Sequence, residues 1–175
     1  LILLAFTACQ NDELVNGGSG NETAVSFSVQ LPGANAPSTR AAGDGTQVNR
    51  CIMEIYLGDK LYGERQVVPV DDKTATFNVR LVTSQTYDFV FWADVCGEGG
   101  IKADRHYQTA NGLQNISLLG NYAGNDDSRD AFTGVLLSKL VTGAFNEAVE
   151  LTRPFGQLNI KTTDLESIPT DRTAL

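Results

Sequence analysis

Ala24-Val25-Ser26-Phe27-Ser28-Val29-Gln30-Leu31 alternates apolar and polar residues almost without a break. In an extended chain successive side chains point to opposite faces. Val25, Phe27, Val29 and Leu31 therefore share one side, and Ser26, Ser28 and Gln30 the other, the pattern of a half-buried strand. The same period recurs downstream. Val48 to Leu57 reads as a second strand, stopped by Gly58-Asp59-Lys60; Leu61 to Val70 returns, and Asp71-Asp72-Lys73 turns the chain again. Ala75, Phe77, Val79 and Leu81 then alternate with Thr74, Thr76, Asn78 and Arg80. After a loop at Thr83-Ser84-Gln85-Thr86, one face of the next strand carries Tyr87, Phe89, Phe91 and Ala93. Its other face carries Val90 and Trp92 between Asp88 and Asp94, as expected of a central strand covered on both sides. Residues 97–130 are rich in Gly and Asn and read mostly as loop, with an apolar patch at Ile116, Leu118 and Leu119. Strand character resumes at Val135–Leu140, Ala148–Leu151 and Leu158–Ile160. No helix longer than a turn or two is expected, and no internal repeat is present. Short alternating strands between regular turn signals predict an all-β sandwich.

Composition narrows the function classes. The chain has 175 residues, 42% of them hydrophobic, which suffices for one packed domain. With 21 acidic against 13 basic residues, its net charge is −8. A nucleic-acid partner is excluded on that balance, because tracking phosphates needs clustered Lys and Arg. One histidine and three cysteines give little material for a metal site, and no cofactor is expected. His106 lies in the loop Asp104-Arg105-His106-Tyr107 and reads as exposed; any Ser-His-Asp or Cys-His arrangement would depend on it. No Gly-x-Ser-x-Gly accompanies it, so no enzyme is expected. Asn121 to Asp130 offers oxygen ligands without the EF-hand spacing, and Gly97-Glu98-Gly99-Gly100 lacks the dinucleotide pattern. Cys51 shares a face with Met53, Ile55 and Leu57, and Cys96 ends the aromatic strand; both read as unpaired buried thiols. Trp92 reads as sheet cover.

The N-terminal stretch has a different character. Leu1-Ile2-Leu3-Leu4-Ala5-Phe6 is apolar but far short of the ~20 residues that span a bilayer. With Thr7-Ala8-Cys9 it resembles a bacterial lipobox, with Phe6 where leucine is usual. In that reading residues 1–9 end a lipoprotein signal peptide and Cys9 carries the lipid (palmitate) anchor. Residues 10–23, including Gln10-Asn11-Asp12-Glu13 and Asn16-Gly17-Gly18-Ser19-Gly20-Asn21, read as a flexible tether. Gln10 to Glu13 is similar to the acidic export tetrad of Bacteroidota lipoproteins. A second flexible segment, Pro32 to Gln47, places Arg40 among small residues in Ser38-Thr39-Arg40-Ala41-Ala42-Gly43, a context prone to proteolytic nicking.

Gly63-Glu64-Arg65-Gln66-Val67-Val68, Thr86 to Asp94, Asp130-Ala131-Phe132 and Arg153-Pro154-Phe155-Gly156-Gln157-Leu158-Asn159-Ile160 occur in that order. Together they resemble the fimbrillin-like lipoproteins of Bacteroidota, over residues 1–168. The resemblance implies a transthyretin-like Greek-key β-sandwich over 24–168, with 169–175 opening a further C-terminal region. It implies a surface lipoprotein of the cell outer membrane that later joins a fimbrium. An arginine-specific protease would cut after Arg40, leave Ala41 as the new N-terminus, and free the strand at 24–31. A strand from another fimbrial subunit would then fill the pockets of Val25, Phe27, Val29 and Leu31. The alternative is a non-polymerising surface lipoprotein whose sandwich binds a glycan or a host protein.

Overall fold

The computed structural model describes residues 21–32, 45–121 and 126–155. Cys9, the tether to residue 20, the segment 33–44 with Arg40 and Ala41, and the strand expected at Leu158–Ile160 lie outside them.

The opening stretch forms β1 (Glu22–Gln30), with Val25, Phe27 and Val29 buried. The chain continues through β2 (Arg50–Leu57), β3 (Lys60–Leu61), β4 (Gln66–Pro69), β5 (Thr74–Val82), β6 (Gln85–Asp94), β7 (Tyr107–Gln108), β8 (Ser117–Leu118), β9 (Phe132–Val141) and β10 (Phe145–Glu150). Short 3-10 turns at Leu113–Asn115 and Asp127–Arg129 are the only helical elements among the described residues. The fold is all-β and sandwich-like.

One sheet runs β10-β1-β5, and the other runs β3-β2-β6-β9 with β4 also on the outer edge of β2. Their inner faces meet in a single core, in which the Phe27 ring sits 4.6 Å from Phe89 and 5.5 Å from Phe91. Between β4 and β5, Asp71 and Thr74 bridge each other across Asp72-Lys73. Both turn residues have positive φ (42° and 59°), the requirement of a type I′ turn, and here it passes the chain from one sheet to the other.

The larger sheet is covered on its far side too. Ile52 and Trp92 point away from the main core and lie under Tyr107, Leu113 and Ala131, which come from the segment after β6. That second layer explains why β2 is buried at every position from Arg50 to Tyr56 instead of at alternate ones. The described residues of 97–130 thus cap the sheet, where mostly loop was expected.

Other expectations need correction. The strand expected to begin at Val48 begins at Arg50, and its Leu57 is exposed. The single strand expected over Leu61–Val70 is two pieces, because Gly63 at φ 71° turns the chain between β3 and β4. The loop expected at Thr83–Thr86 shrinks to a tight turn at Thr83-Ser84, with Ser84 at φ 63°. In β9 the register with β6 slips between Tyr87 and Phe89, a bulge that places Ser138 at φ 55° with its N–H donated to Asp88 Oδ1 at 2.6 Å. Val135, Leu137 and Leu140 of β9 remain exposed beside it.

Candidate functional site

Two places in the fold bring together residues that could carry a function. The first is the seat of β1. This strand is antiparallel to β5, from Glu22↔Val82 to Gln30↔Thr74, and parallel to β10, from Val25↔Phe145 to Gln30↔Glu150. It is therefore the middle strand of its sheet, although it comes first among the described elements. Val25, Phe27, Val29 and Leu31, the four residues singled out from the sequence, all enter the core. Phe27 is fully buried between the two sheets, with Phe145 of β10 edge-on at 6.0 Å. Leu31 extends the row past the end of the strand, its N–H donated to the Lys73 carbonyl at 2.9 Å. A Cβ at Gly45 would lie 3.1 Å from Leu31 Cδ2 and 3.0 Å from the Phe132 ring, so only glycine fits there, at φ 71°. Leu31, Gly45 and Phe132 thus pack together at this end of the sandwich.

The second is a buried polar network on the far face of the larger sheet, which sequence reading missed. Arg50 of β2 and Asp94 of β6 are cross-strand partners. Arg50 donates to both Asp94 oxygens, Nε–Oδ1 at 2.5 Å and Nη2–Oδ2 at 3.0 Å, and from Nη2 to Asp104 Oδ1 at 2.9 Å. Its Nη1 caps the carbonyls of Ala103 (3.0 Å) and Ile101 (3.3 Å). Burial works against the Arg50 charge, but Asp94 and Asp104 outweigh it and hold the guanidinium above its ordinary pKa. Asp104 in turn accepts from Thr109 N–H at 2.7 Å and Thr109 Oγ1 at 2.8 Å. Burial would raise the Asp104 carboxyl; the Thr109 N–H and Arg50 prevail and lower it.

Thr109 links this cluster to a second one. Arg65 donates to Thr109 Oγ1 (3.2 Å) and its carbonyl, and to Glu54 Oε1 from Nε (2.8 Å) and Nη2 (2.5 Å). Glu54 Oε2 accepts from Tyr56 OH at 2.5 Å and Leu113 N–H at 2.7 Å. Against desolvation, these donors hold the Glu54 carboxyl below its ordinary range. Burial first, then the Glu54 carboxylate, push the Tyr56 phenol upward. Every member is satisfied by another, so the network clamps the cap segment onto the sheet. A signal existed in the sequence: Arg50 and Glu54 sit at far-face positions of a strand otherwise apolar.

The remaining residues flagged from the sequence fall outside any catalytic geometry. His106 is partly buried, contrary to the exposed position expected, and its Nε2 lies 2.8 Å from Ser128 Oγ. The Ser128 hydroxyl donates to Asp126 Oδ1 at 2.5 Å, so it can only accept from His106. In a nucleophilic triad the serine hydroxyl donates to the histidine; here it donates to an aspartate instead. Burial, then the nearby Arg129 charge, lowers the His106 pKa. Asp126 caps the 3-10 turn, and Asp130 pairs with Arg153 at 2.9 Å and accepts from Gly45 N–H. Among the described residues no group of three His, Cys, Asp or Glu side chains is placed to hold a metal ion. Cys51 and Cys96 are both free; Cys51 is buried as expected, whereas Cys96 is only half-buried. Trp92 covers the sheet, edge-on to Tyr107 at 5.2 Å.

Fold and site together define a small all-β, sandwich-like domain with a clamped cap and a centrally seated first described strand. The chain belongs to the family of unknown function DUF6562, which it matches over residues 17–174. No curated protein matches it. Among solved structures it is similar to a Bacteroides thetaiotaomicron protein of the DUF1812 group, provisionally described as polysaccharide-binding. That pair is 12% identical with a TM-score of 0.35, over 74% of this chain and 47% of the other. The chain thus spans about half of that protein's length, and so slight a likeness transfers neither fold nor function.

Proposed function

We propose that this chain is a structural subunit, or the anchor, of a bacterial surface fimbria of the fimbrillin-like kind. In this reading it is exported as a lipoprotein anchored in the outer membrane through Cys9. An arginine-specific protease cuts between Arg40 and Ala41, and strand exchange with other subunits carries the domain from the membrane into the fimbrium. The sandwich would be of the transthyretin-like Greek-key type.

One observation carries the reading: the first strand of the described fold is the middle strand of its sheet. Taking β1 out opens the edges of β5 and β10 at once and empties four apolar seats. At roughly 1.5–3 kcal/mol for each buried side chain, Val25, Phe27, Val29 and Leu31 hold about 6–12 kcal/mol of burial. That is comparable to the whole stability of an ordinary domain, so the vacated groove must be refilled. A strand from another subunit refills it by β-augmentation: main-chain bonds give affinity and the four seats give register.

The test uses the full chain, an arginine-specific protease, and a labelled peptide spanning residues 22–32. Mass spectrometry is expected to show a product beginning at Ala41, and the cut protein is expected to take up the peptide while intact protein does not. A folded chain left uncut at Arg40, or a cut one that never exchanges the peptide, sinks the proposal.

A further inference from the structure

A cleft of about 710 Å3 opens between the edge of β2 and the turn at residues 110–115. Its floor is Glu54 and Tyr56, and Arg65 forms one wall. These groups are used up: both Glu54 oxygens accept two donors each, from Arg65 on one side and from Tyr56 and Leu113 N–H on the other. The rim differs. Asn111, Gln114 and Asn115 are exposed and line the cleft, and among the described residues their side chains make no hydrogen bond. Three carboxamides thus surround one opening with donors and acceptors unspent.

Their backbone is not loose. The Leu113 N–H is tied to Glu54 Oε2 at 2.7 Å, and the Leu113 side chain is buried in the cluster under the cap. Gly112, at φ 94°, brings the turn down to the sheet; a Cβ there would stand 3.7 Å from both Glu54 Oε2 and Tyr56 OH. The amides are therefore presented on a fixed support, which reduces the ordering cost of binding.

Charge decides the class of ligand. Glu54 and Asp59 are anionic and Arg65 cationic, so the lining carries a net negative charge that repels anions. Asp59 is the one carboxylate of the lining not already bonded, too few for a metal ion. The lining is about as apolar as it is polar, and Leu61, 48% exposed, is its largest aliphatic side chain. A carboxamide sets a donor beside an acceptor, and adjacent sugar hydroxyls each donate and accept. Leu61 offers an apolar surface to the C–H face of a sugar ring. We propose that this cleft binds a neutral oligosaccharide, held by Asn111, Gln114 and Asn115. The site stands apart from the seat of β1 and does not depend on strand release.

The probe is an array of neutral hexose and pentose oligosaccharides, together with uronate- and sialate-bearing ones, applied to the full chain. A hit is followed by NMR of the side-chain amide groups. Retention of neutral sugars is expected, with saturable shifts of the Asn111, Gln114 and Asn115 amides. An Asn111→Ala/Asn115→Ala variant is expected to bind about tenfold or more weakly, with the unfolding midpoint unchanged because neither side chain supports the fold. Retention of no sugar, retention of acidic sugars alone, or binding that ignores the double variant overturns the proposal. Capture of hydroxyl-rich peptides with equal strength overturns it as well.

Discussion

Replacing Phe27 with alanine tests how much of the sandwich rests on its first strand. The ring is fully buried, with three aromatic neighbours at 4.6, 5.5 and 6.0 Å that belong to β6 and β10. Phe→Ala in a packed core costs about 3–5 kcal/mol through lost transfer energy and the cavity left behind. Tilted and edge-on ring pairs add about 0.5–1.5 kcal/mol beyond area, which places Phe27→Ala in the upper part of that range. The two sheets cannot close on the gap easily, because β1 is fixed by ladders on both sides. With a urea m-value of about 2 kcal/mol/M for a domain of this size, the midpoint should fall by about 2 M with the slope unchanged. The control is Ser28→Ala, on the same strand but the outer face, expected within ~0.5 kcal/mol of the parent. Urea unfolding followed by tryptophan fluorescence reads both, since Trp92 is buried under the cap. A loss below about 1 kcal/mol for Phe27→Ala, or equal losses for the two variants, refutes the claim that β1 is seated through its aromatic residue.

Three further outcomes are expected. Arg50→Met strands Asp94 and Asp104 without their cation and should cost about 3–5 kcal/mol, whereas adding Asp94→Leu should recover part of it; equal losses in the single and double variants would contradict the clamp. Stability should fall in acid: Glu54 and Asp104 have folded pKa values below their ordinary 4.5 and 3.8, so the unfolded chain takes up protons first and the contribution present above those values is lost below them. His106 acts in the same direction from about 6.5 downward, and His106→Gln should remove that upper, shallower step in a pH series of unfolding midpoints. Burial, with the Asp94 charge, pushes the Cys51 thiol up to about 12, so iodoacetamide should label Cys96 in native protein and reach Cys51 only after denaturation, as peptide mapping would show.

The strands that face one core and one solvent layer were legible, because a single periodicity describes them. Residues 24–31 and 74–81 were placed on their correct faces for that reason. Where a strand is covered twice, period 2 fails: β2 reads as a continuous buried run, and Arg50 and Glu54 vanish into it. Their charged partners lie 11 to 54 positions away, at Arg65, Asp94 and Asp104, brought within reach by strand register and the fold of the cap. Local sequence carries no sign of such pairings. The break between β3 and β4 was readable in principle at Gly63-Glu64, but the apolar residues on either side suggested one strand. The seat of β1 was anticipated in its residues, while its central place in the sheet came only with the parallel pairing to β10.

That pairing has a consequence for how the polypeptide is born. Ser26 donates to Asn146 Oδ1 at 2.5 Å across 120 positions of sequence. A ribosome or export channel delivers β1 early and β10 late, so the small sheet cannot close until nearly all the described chain has emerged. Long-range parallel pairing of this kind folds slowly and leaves apolar surface waiting for its partner. On the export route proposed above, such delay would be an asset, because the sequence distance between two neighbouring strands holds the sheet open in transit.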